Sequence, residues 1–325
     1  FTPVAMTYAV EIDHAVKRFA HHVAVRDLSL CIPTGTVYGL LGPNGAGKTT
    51  TIRMVLDIIE PDSGTIRVLG SPNRARGVID RVGYLPEERG LYRRMTVRRV
   101  LKFLAELKGV PGDVATQRID AWLERLELTT AERDWGDARV EELSRGMQQK
   151  VQFIGALVHD PQLVILDEPF SALDPINAEA LKGIMLELKR DGRTIVFSTH
   201  LMDSAERLCD GVCIIAEGTK LVDGTLADVR SAHGVRQVAL ALDGGSRERV
   251  DRVLRDASLV QRVDDSNQVL ELDLAPSADP QLLLRRLIEA GASVQRFELV
   301  QPSLHRVFVD RVSAARLDAQ ENAHA

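Results

Sequence analysis

The chain has 325 residues, 45% of them hydrophobic and 27% charged, with a formal net charge of -5. That composition suits a folded globular chain of about two domains at the usual ~150 residues each. The acidity argues against a nucleic-acid partner, because a phosphate backbone selects basic surfaces. No stretch approaches the ~18 consecutive apolar residues of a membrane span, since even "LVILDEPF" and "GVCIIAEG" are cut by acids. Any membrane role is therefore expected to be peripheral.

The opening "FTPVAMTYAV" has neither the basic start nor the apolar core of a secretory signal. Cys31, Cys209 and Cys213 are set among apolar residues, the pattern of buried thiols in a reducing compartment rather than a disulfide framework.

Residues 35 to 70 read as strand, Gly-rich turn, helix, strand. The helix "KTTTIRMVLDIIE" puts Ile52, Val55, Leu56 and Ile59 on one face and is predicted to run to Pro61. The turn before it, "GPNGAGKT", matches G-x-x-x-x-G-K-[ST] in the required setting, after a strand and opening a helix. Gly42, Gly45 and Gly47 let amides turn toward phosphate oxygens, with Pro43, Asn44 and Ala46 between them. Lys48 suits the β/γ-phosphates and Thr49 offers a hydroxyl to Mg²⁺.

From 91 to 135 the pattern turns helical, and a helical subdomain is expected over about 90–160. It contains "LSRGMQQK", where Ser144 is placed to cap a helix while Gly146 weakens that helix by about 1 kcal/mol relative to Ala. A capping box would put Glu or Gln three residues after the serine, and Met147 stands there instead. Helix stability is thus not the only purpose of this stretch; a hydroxyl and bare backbone at a helix N-terminus suit a phosphate.

After residue 163, strands and helices alternate, as in a mainly parallel sheet covered on both faces. "LVILDEP" ends an apolar strand in Asp167 and Glu168, suited to a water-mediated Mg²⁺ contact and to a general base for an attacking water. Asp174 is the N-cap and Pro175 the first residue of the next helix. "VFSTH" is a further strand ending at the same edge, where His200 suits a γ-phosphate contact. Near "SAHG", 231–234, the character changes, and 235–312 reads as a small α+β domain. Residues 313–325 are expected to form a frayed tail.

In this order the motifs resemble the nucleotide-binding subunit of ATP-binding cassette (ABC) transporters, over residues from about Tyr8 to Gly224. The matching positions are Phe19 as adenine-stacking aromatic, the phosphate loop from Gly42 through Thr50, Glu87 in the glutamine-loop region, and "LSRGM" for the LSGGQ-type signature. Asp167 with Glu168, "SALD" ending in Asp174, and His200 as switch histidine follow. The resemblance implies an α/β fold with a P-loop NTPase sheet of ABC type over 7–232, including the helical subdomain, followed by the small α+β domain. It further implies ATP with Mg²⁺, the metal held by Thr49, Asp167 and Glu87.

By the same resemblance the chain pairs head to tail with itself or a paralogue, each ATP lying between one phosphate loop and the partner's Ser144 and Gly146. It would sit as a cytoplasmic, peripheral subunit on the inner face of the membrane beneath a separate permease. The ending "QPSLHRVFVDRV" is similar to the extension of a prokaryotic exporter subgroup for sodium efflux and drug export, which favours export.

Two departures stand out. Glu87 or Glu88 of "YLPEERG" takes the place of a glutamine, so a carboxylate replaces a neutral carbonyl and an amide donor. Arg145 and Met147 alter the signature. A soluble ABC ATPase of DNA repair or translation is the rival reading, but such chains carry two cassettes or a long coiled-coil insertion before the signature.

Overall fold

The computed structural model describes residues 7–88, 90–232, 236–243, 247–265 and 269–324. The chain forms two compact units, 1–225 with 311–325, and 226–310.

The first unit begins with β1 (Tyr8–Phe19), β2 (His22–Pro33), β3 (Val37–Leu41), α1 (Lys48–Val55), β4 (Ser63–Val68), β5 (Ser71–Pro72) and β6 (Val82–Leu85). The helices α2 (Val97–Leu107), α3 (Gly112–Arg125) and α4 (Arg145–Leu157) follow. It continues with β7 (Leu163–Asp167), α5 (Pro175–Arg190), β8 (Thr194–Thr199), α6 (Met202–Leu208), β9 (Gly211–Ala216) and β10 (Thr219–Thr225).

Every residue of β3, β7, β8 and β9 is buried, which is why these strands read as apolar runs rather than alternating ones. They form the middle of a six-stranded sheet, order β10-β9-β3-β8-β7-β6, parallel except for β10. A second, antiparallel sheet has the order β2-β1-β4-β5. Val10, Ile12 and Leu30 of that sheet pack with Ile52 and Val55 of α1 and with Leu40, Ile165 and Val196 of the first, giving one continuous core. Because β3, β8 and β7 are neighbours, their carboxyl ends bring the phosphate loop, Asp167 and His200 to one edge, where α/β sheets bind ligands.

Helices α2, α3 and α4 make the expected helical subdomain. Val100, Leu101, Ile119, Leu123, Val151 and Ile154 are buried, and Trp122 meets Phe153 edge to face at 6.5 Å.

Helix α1 is shorter than the sequence predicts, ending at Val55 instead of running to Pro61. Buried Asn73 donates to the carbonyl of Met54 at 2.8 Å, and Asp57 turns left-handed with φ 55°. A side-chain amide thus takes up the end of the helix, as a C-cap must.

The second unit contains α7 (Leu226–Ser231), β11 (Gln237–Leu242), α8 (Arg247–Leu254), β12 (Val260–Asp264), β13 (Leu270–Leu274), α9 (Pro280–Glu289) and β14 (Val294–Val300). Its antiparallel sheet has the order β12-β13-β11-β14, and Val238, Leu240, Leu272, Leu283 and Leu287 are fully buried in its core. The sequence puts the domain change at 232–235, of which 233–235 lie outside the described residues; the division falls instead between Thr225 and Leu226. Where a frayed tail is expected over 313–325, helix α10 (Leu304–His324) continues to His324.

Candidate functional site: a phosphate loop and two acidic strand ends

The turn after β3 is shaped by this chain's own backbone. A Cβ on Gly42 would stand 2.2 Å from the Ile215 carbonyl oxygen. One on Gly47, where φ is 105°, would stand 2.4 Å from that of Ala24. Neither position has room for a side chain, whatever the loop binds. Lys48 follows at the start of α1, only 6% exposed. Its Nζ donates to the carbonyls of Gly42 at 2.7 Å and Pro43 at 3.2 Å and lies 3.6 Å from Glu168 Oε1.

Residues 44 to 50 line a cavity of about 370 Å³ together with His22, Ala24, Glu87 and Glu168. Of the two acids in "YLPEERG", Glu87 is therefore the one at the cavity. The Glu88 carboxylate, 86% exposed, lies 3.6 Å from Arg53.

Asp167 and Glu168 are both buried, at the end of β7. Ser198 of β8 donates to Asp167 Oδ1, and its hydroxyl accepts the Glu168 backbone N–H at 2.9 Å. Glu168 has a left-handed backbone, φ 48°, and its Oε1 lies 3.1 Å from His200 Nδ1. One carboxylate oxygen thus faces an imidazole and an ammonium group at once.

The residues present fit a divalent cation. Asp167 Oδ2 is buried with no hydrogen-bond partner among the described residues, and Thr49 and Glu87 add hydroxyl and carboxylate oxygens at the neighbouring cavity. Oxygen donors of this kind suit Mg²⁺, which takes one or two carboxylates and completes its shell with water and phosphate oxygens.

Three other expected positions are elsewhere. Ser144 is exposed and caps α4, accepting the Met147 N–H at 3.3 Å. A Cβ on Gly146 would make only ordinary contacts, at 3.6 Å, with the Ala172 carbonyl and Leu173. Asp174 caps α5 by accepting the Asn177 N–H at 3.0 Å, a bond that lowers its carboxyl pKa below the ordinary value. None of the three lines the cavity. Phe19, at the end of β1, is 43% exposed rather than part of the core, and its ring stacks on His22 at 5.6 Å.

Sequence reasoning passes over Ser198, His22, Gln149 and Gln152. The two glutamines on α4 hold the acidic segments in place: Gln149 donates to the Pro169 carbonyl at 3.3 Å and Gln152 to that of Glu88 at 3.1 Å. The one visible signal was two buried-type spacings of Gln on an otherwise apolar helix face.

Gln152 also lines a second depression, an apolar cleft of about 340 Å³ whose walls include Leu56, Tyr84, Tyr92, Leu104 and His159. Burial lowers the pKa of His159 and of Lys108 there.

Residues 25–171 match the ABC transporter family model, and residues 224–312 match the C-terminal domain of DrrA1-3-like ATP-binding proteins. The chain is 40% identical over 303 residues, 93% of its length and 98% of the relative's, to the uncharacterized ABC transporter ATP-binding protein YhaQ of Bacillus subtilis (strain 168). It is 35% identical over 303 residues, 93% of its length and 96% of the relative's, to the Nod factor export ATP-binding protein I of Rhizobium sp. (strain N33). A solved ATP binding subunit of an ABC transporter superposes with a TM-score of 0.64 at 32% identity, covering 70% of this chain and 93% of that one. An ATP-binding cassette dimer in a post-hydrolysis state with ADP and Pi shares the fold, with a TM-score of 0.61 at 22% identity over 67% of this chain and 98% of that one. Near-complete alignment with such relatives, on top of the phosphate loop and its flanking acids, makes this chain a member of the ABC transporter family, an ATP-binding and ATP-hydrolysing subunit.

Proposed function

We propose that the chain powers export through a separate membrane permease, hydrolysing Mg²⁺-ATP at the edge formed by β3, β7 and β8. The observation that carries the chemistry is the position of Glu168: its carboxylate lines the cavity of the phosphate loop and lies between Lys48 and His200.

The loop amides and Lys48 bind the β/γ-phosphates, Lys48 exchanging the Gly42 and Pro43 carbonyls for phosphate oxygens. Glu168 takes the proton of the attacking water, and His200 orients the carboxylate and meets the γ-phosphate. Thr49, Asp167 and Glu87 hold Mg²⁺, which when bound supplies charge to the phosphate oxygens. Phe19, exposed beside His22, stacks on adenine.

Ser144 and Gly146 complete the site of another copy of this chain or a paralogue. The exposure of Ser144, and the absence among the described residues of any close contact that would require glycine at 146, support that reading. The permease is served by the apolar cleft, a concave surface that suits a short amphipathic segment. Export is favoured by the matched C-terminal domain and by the Nod factor export relative. Such a subunit works at the inner face of the membrane.

Glu168→Gln tests the chemistry: it should keep ATP binding, accumulate an ATP-bound dimer in size-exclusion chromatography and lose nearly all turnover. Full turnover in that variant would remove Glu168 from the role. Purification of the full chain from membranes should bring down a multi-span protein; if only soluble partners appear, the transporter assignment fails.

A further inference from the structure

We propose that the second unit carries a binding site of its own, a cavity at one end of its sheet that takes a free, small organic anion with an apolar body. None of the residues lining it lines the nucleotide cavity.

The cavity, about 330 Å³, opens where separate elements of the unit meet. Arg236 and Gln237 lead into β11, Val300 and Gln301 leave β14, and Arg230 and Ser231 close α7. The strand register joins the first two pairs, since Gln237 is the partner of Val300. A volume of this size lies at the lower end of small-molecule sites.

Its cations have no acid beside them. Arg230 and Arg236 line the cavity, and among the described residues no carboxylate does. Arg236 is exposed and pairs with no carboxylate among the described residues; its side chain reaches only the Ala278 carbonyl, from Nη1 at 3.5 Å, the long limit of a hydrogen bond. Its backbone is held in place, the Arg236 carbonyl accepting the Leu274 N–H at 2.8 Å. The acid that Gln237 touches is already engaged: Asp273 Oδ1 accepts the Gln237 amide at 2.6 Å, and Oδ2 accepts from Arg306 at 3.2 Å.

A guanidinium stays charged at neutral pH, and its planar fork of N–H donors matches the paired oxygens of a carboxylate or phosphate. Gln301, exposed, adds an amide at the same cavity, whereas the Ser231 hydroxyl donates to the Ala227 carbonyl. On a convex surface, water would satisfy such a guanidinium. Here the lining also includes Leu299, 55% exposed, and buried Pro302, whose nitrogen has no N–H. A concave, partly apolar wall strengthens the attraction of the arginines for an anion, and covering Leu299 adds a hydrophobic gain. An inorganic ion leaves that wall uncovered, and a cation is repelled.

The test titrates the full chain, its nucleotide cavity filled with Mg²⁺-ADP, with hexanoate and hexyl phosphate. Hexanol, hexylammonium and inorganic phosphate are the controls, and the methyl resonances of Leu299 and Val300 report the site. Both amphiphilic anions should shift these methyls and saturate. Hexanol and hexylammonium should bind at least about tenfold more weakly, the loss of a charge-assisted hydrogen bond. Arg236→Gln should weaken both anions about tenfold while basal ATPase activity and the circular dichroism spectrum stay those of wild type.

Equal affinity for hexanol and hexanoate, or full anion affinity in Arg236→Gln, overturns the anion assignment. Unmoved Leu299 and Val300 methyls with every probe overturn the site itself. Inorganic phosphate binding as tightly as hexyl phosphate overturns the apolar body. If phosphatidylglycerol vesicles bind through Arg236 while the soluble probes do not, the ligand is a lipid headgroup and the free solute is overturned.

Discussion

Ser198 is the register partner of Asp167 across the β7–β8 pair, and its hydroxyl donates to the Asp167 carboxylate. The same oxygen accepts the Glu168 N–H at 2.9 Å, so one side chain orders both acids. Ser198→Ala leaves a buried carboxylate oxygen and a buried N–H unpaired, and we expect it to lower unfolding free energy by about 2–3 kcal/mol. Ser198→Thr, which keeps the hydroxyl, should recover most of the ATPase activity. Urea unfolding and steady-state turnover measure the two effects; an alanine variant as stable as wild type would show that the bond contributes nothing net.

The glycines of the phosphate loop are predicted to differ. Gly47→Ala must displace the Ala24 carbonyl and shift the loop, which should weaken ATP binding by about 100-fold or more, as ångström-scale misplacement does. Gly45 has φ 78° and no described residue within 4 Å of a built Cβ, so Gly45→Ala should cost only about 1–2 kcal/mol of stability for its backbone. Thermal unfolding with titration of a fluorescent ATP analogue checks both. Equal effects on affinity would mean that contact with the phosphate, not fit within the chain, sets the requirement.

Gly146→Ala should separate stability from activity. Outside the helix's own backbone, no described residue comes closer than 3.6 Å to a built Cβ, and the position is helical. The variant should therefore unfold about 0.5–1 kcal/mol later than wild type. Its ATPase activity should fall by at least about tenfold, a barrier increase of ~1.4 kcal/mol, if the bare backbone faces a partner's nucleotide. Undiminished turnover would show that this glycine serves no second subunit.

Phe19→Ala removes an exposed ring and should leave folding unchanged. ATP affinity is expected to fall about 3–10-fold, the ~0.5–1.5 kcal/mol of an aromatic stack, with Phe19→Tyr restoring it. Isothermal titration with ATP and with inorganic triphosphate gives the control: triphosphate lacks the base, so its affinity should not change. Equal losses for both ligands would place the effect on the loop rather than on adenine.

What was legible in the sequence was local. The phosphate loop, the acids closing β7 and the caps at Ser144 and Asp174 each depend on residues within a few positions, and the structure has them as strand end, loop and N-cap. Ser198 could not be read in advance, because its importance lies in the β7–β8 register, which pairs residues 31 apart. Glu87 and Glu88 look interchangeable in "YLPEERG" until Arg53, from α1, lies beside one of them and the cavity beside the other. The end of α1 escaped for the same reason: apolar spacing carries on to Ile59, but the residue that ends the helix, Asn73, comes after β5.

The left-handed backbone of Glu168 sets backbone strain against the proposed catalytic role at a single position. A residue with a Cβ is disfavoured at φ 48° by about 1–2 kcal/mol. Glycine would take the same conformation at no such cost and would delete the carboxylate. With Glu168 in the role proposed for it, selection for an unstrained backbone and selection for ATP hydrolysis pull this position in opposite directions.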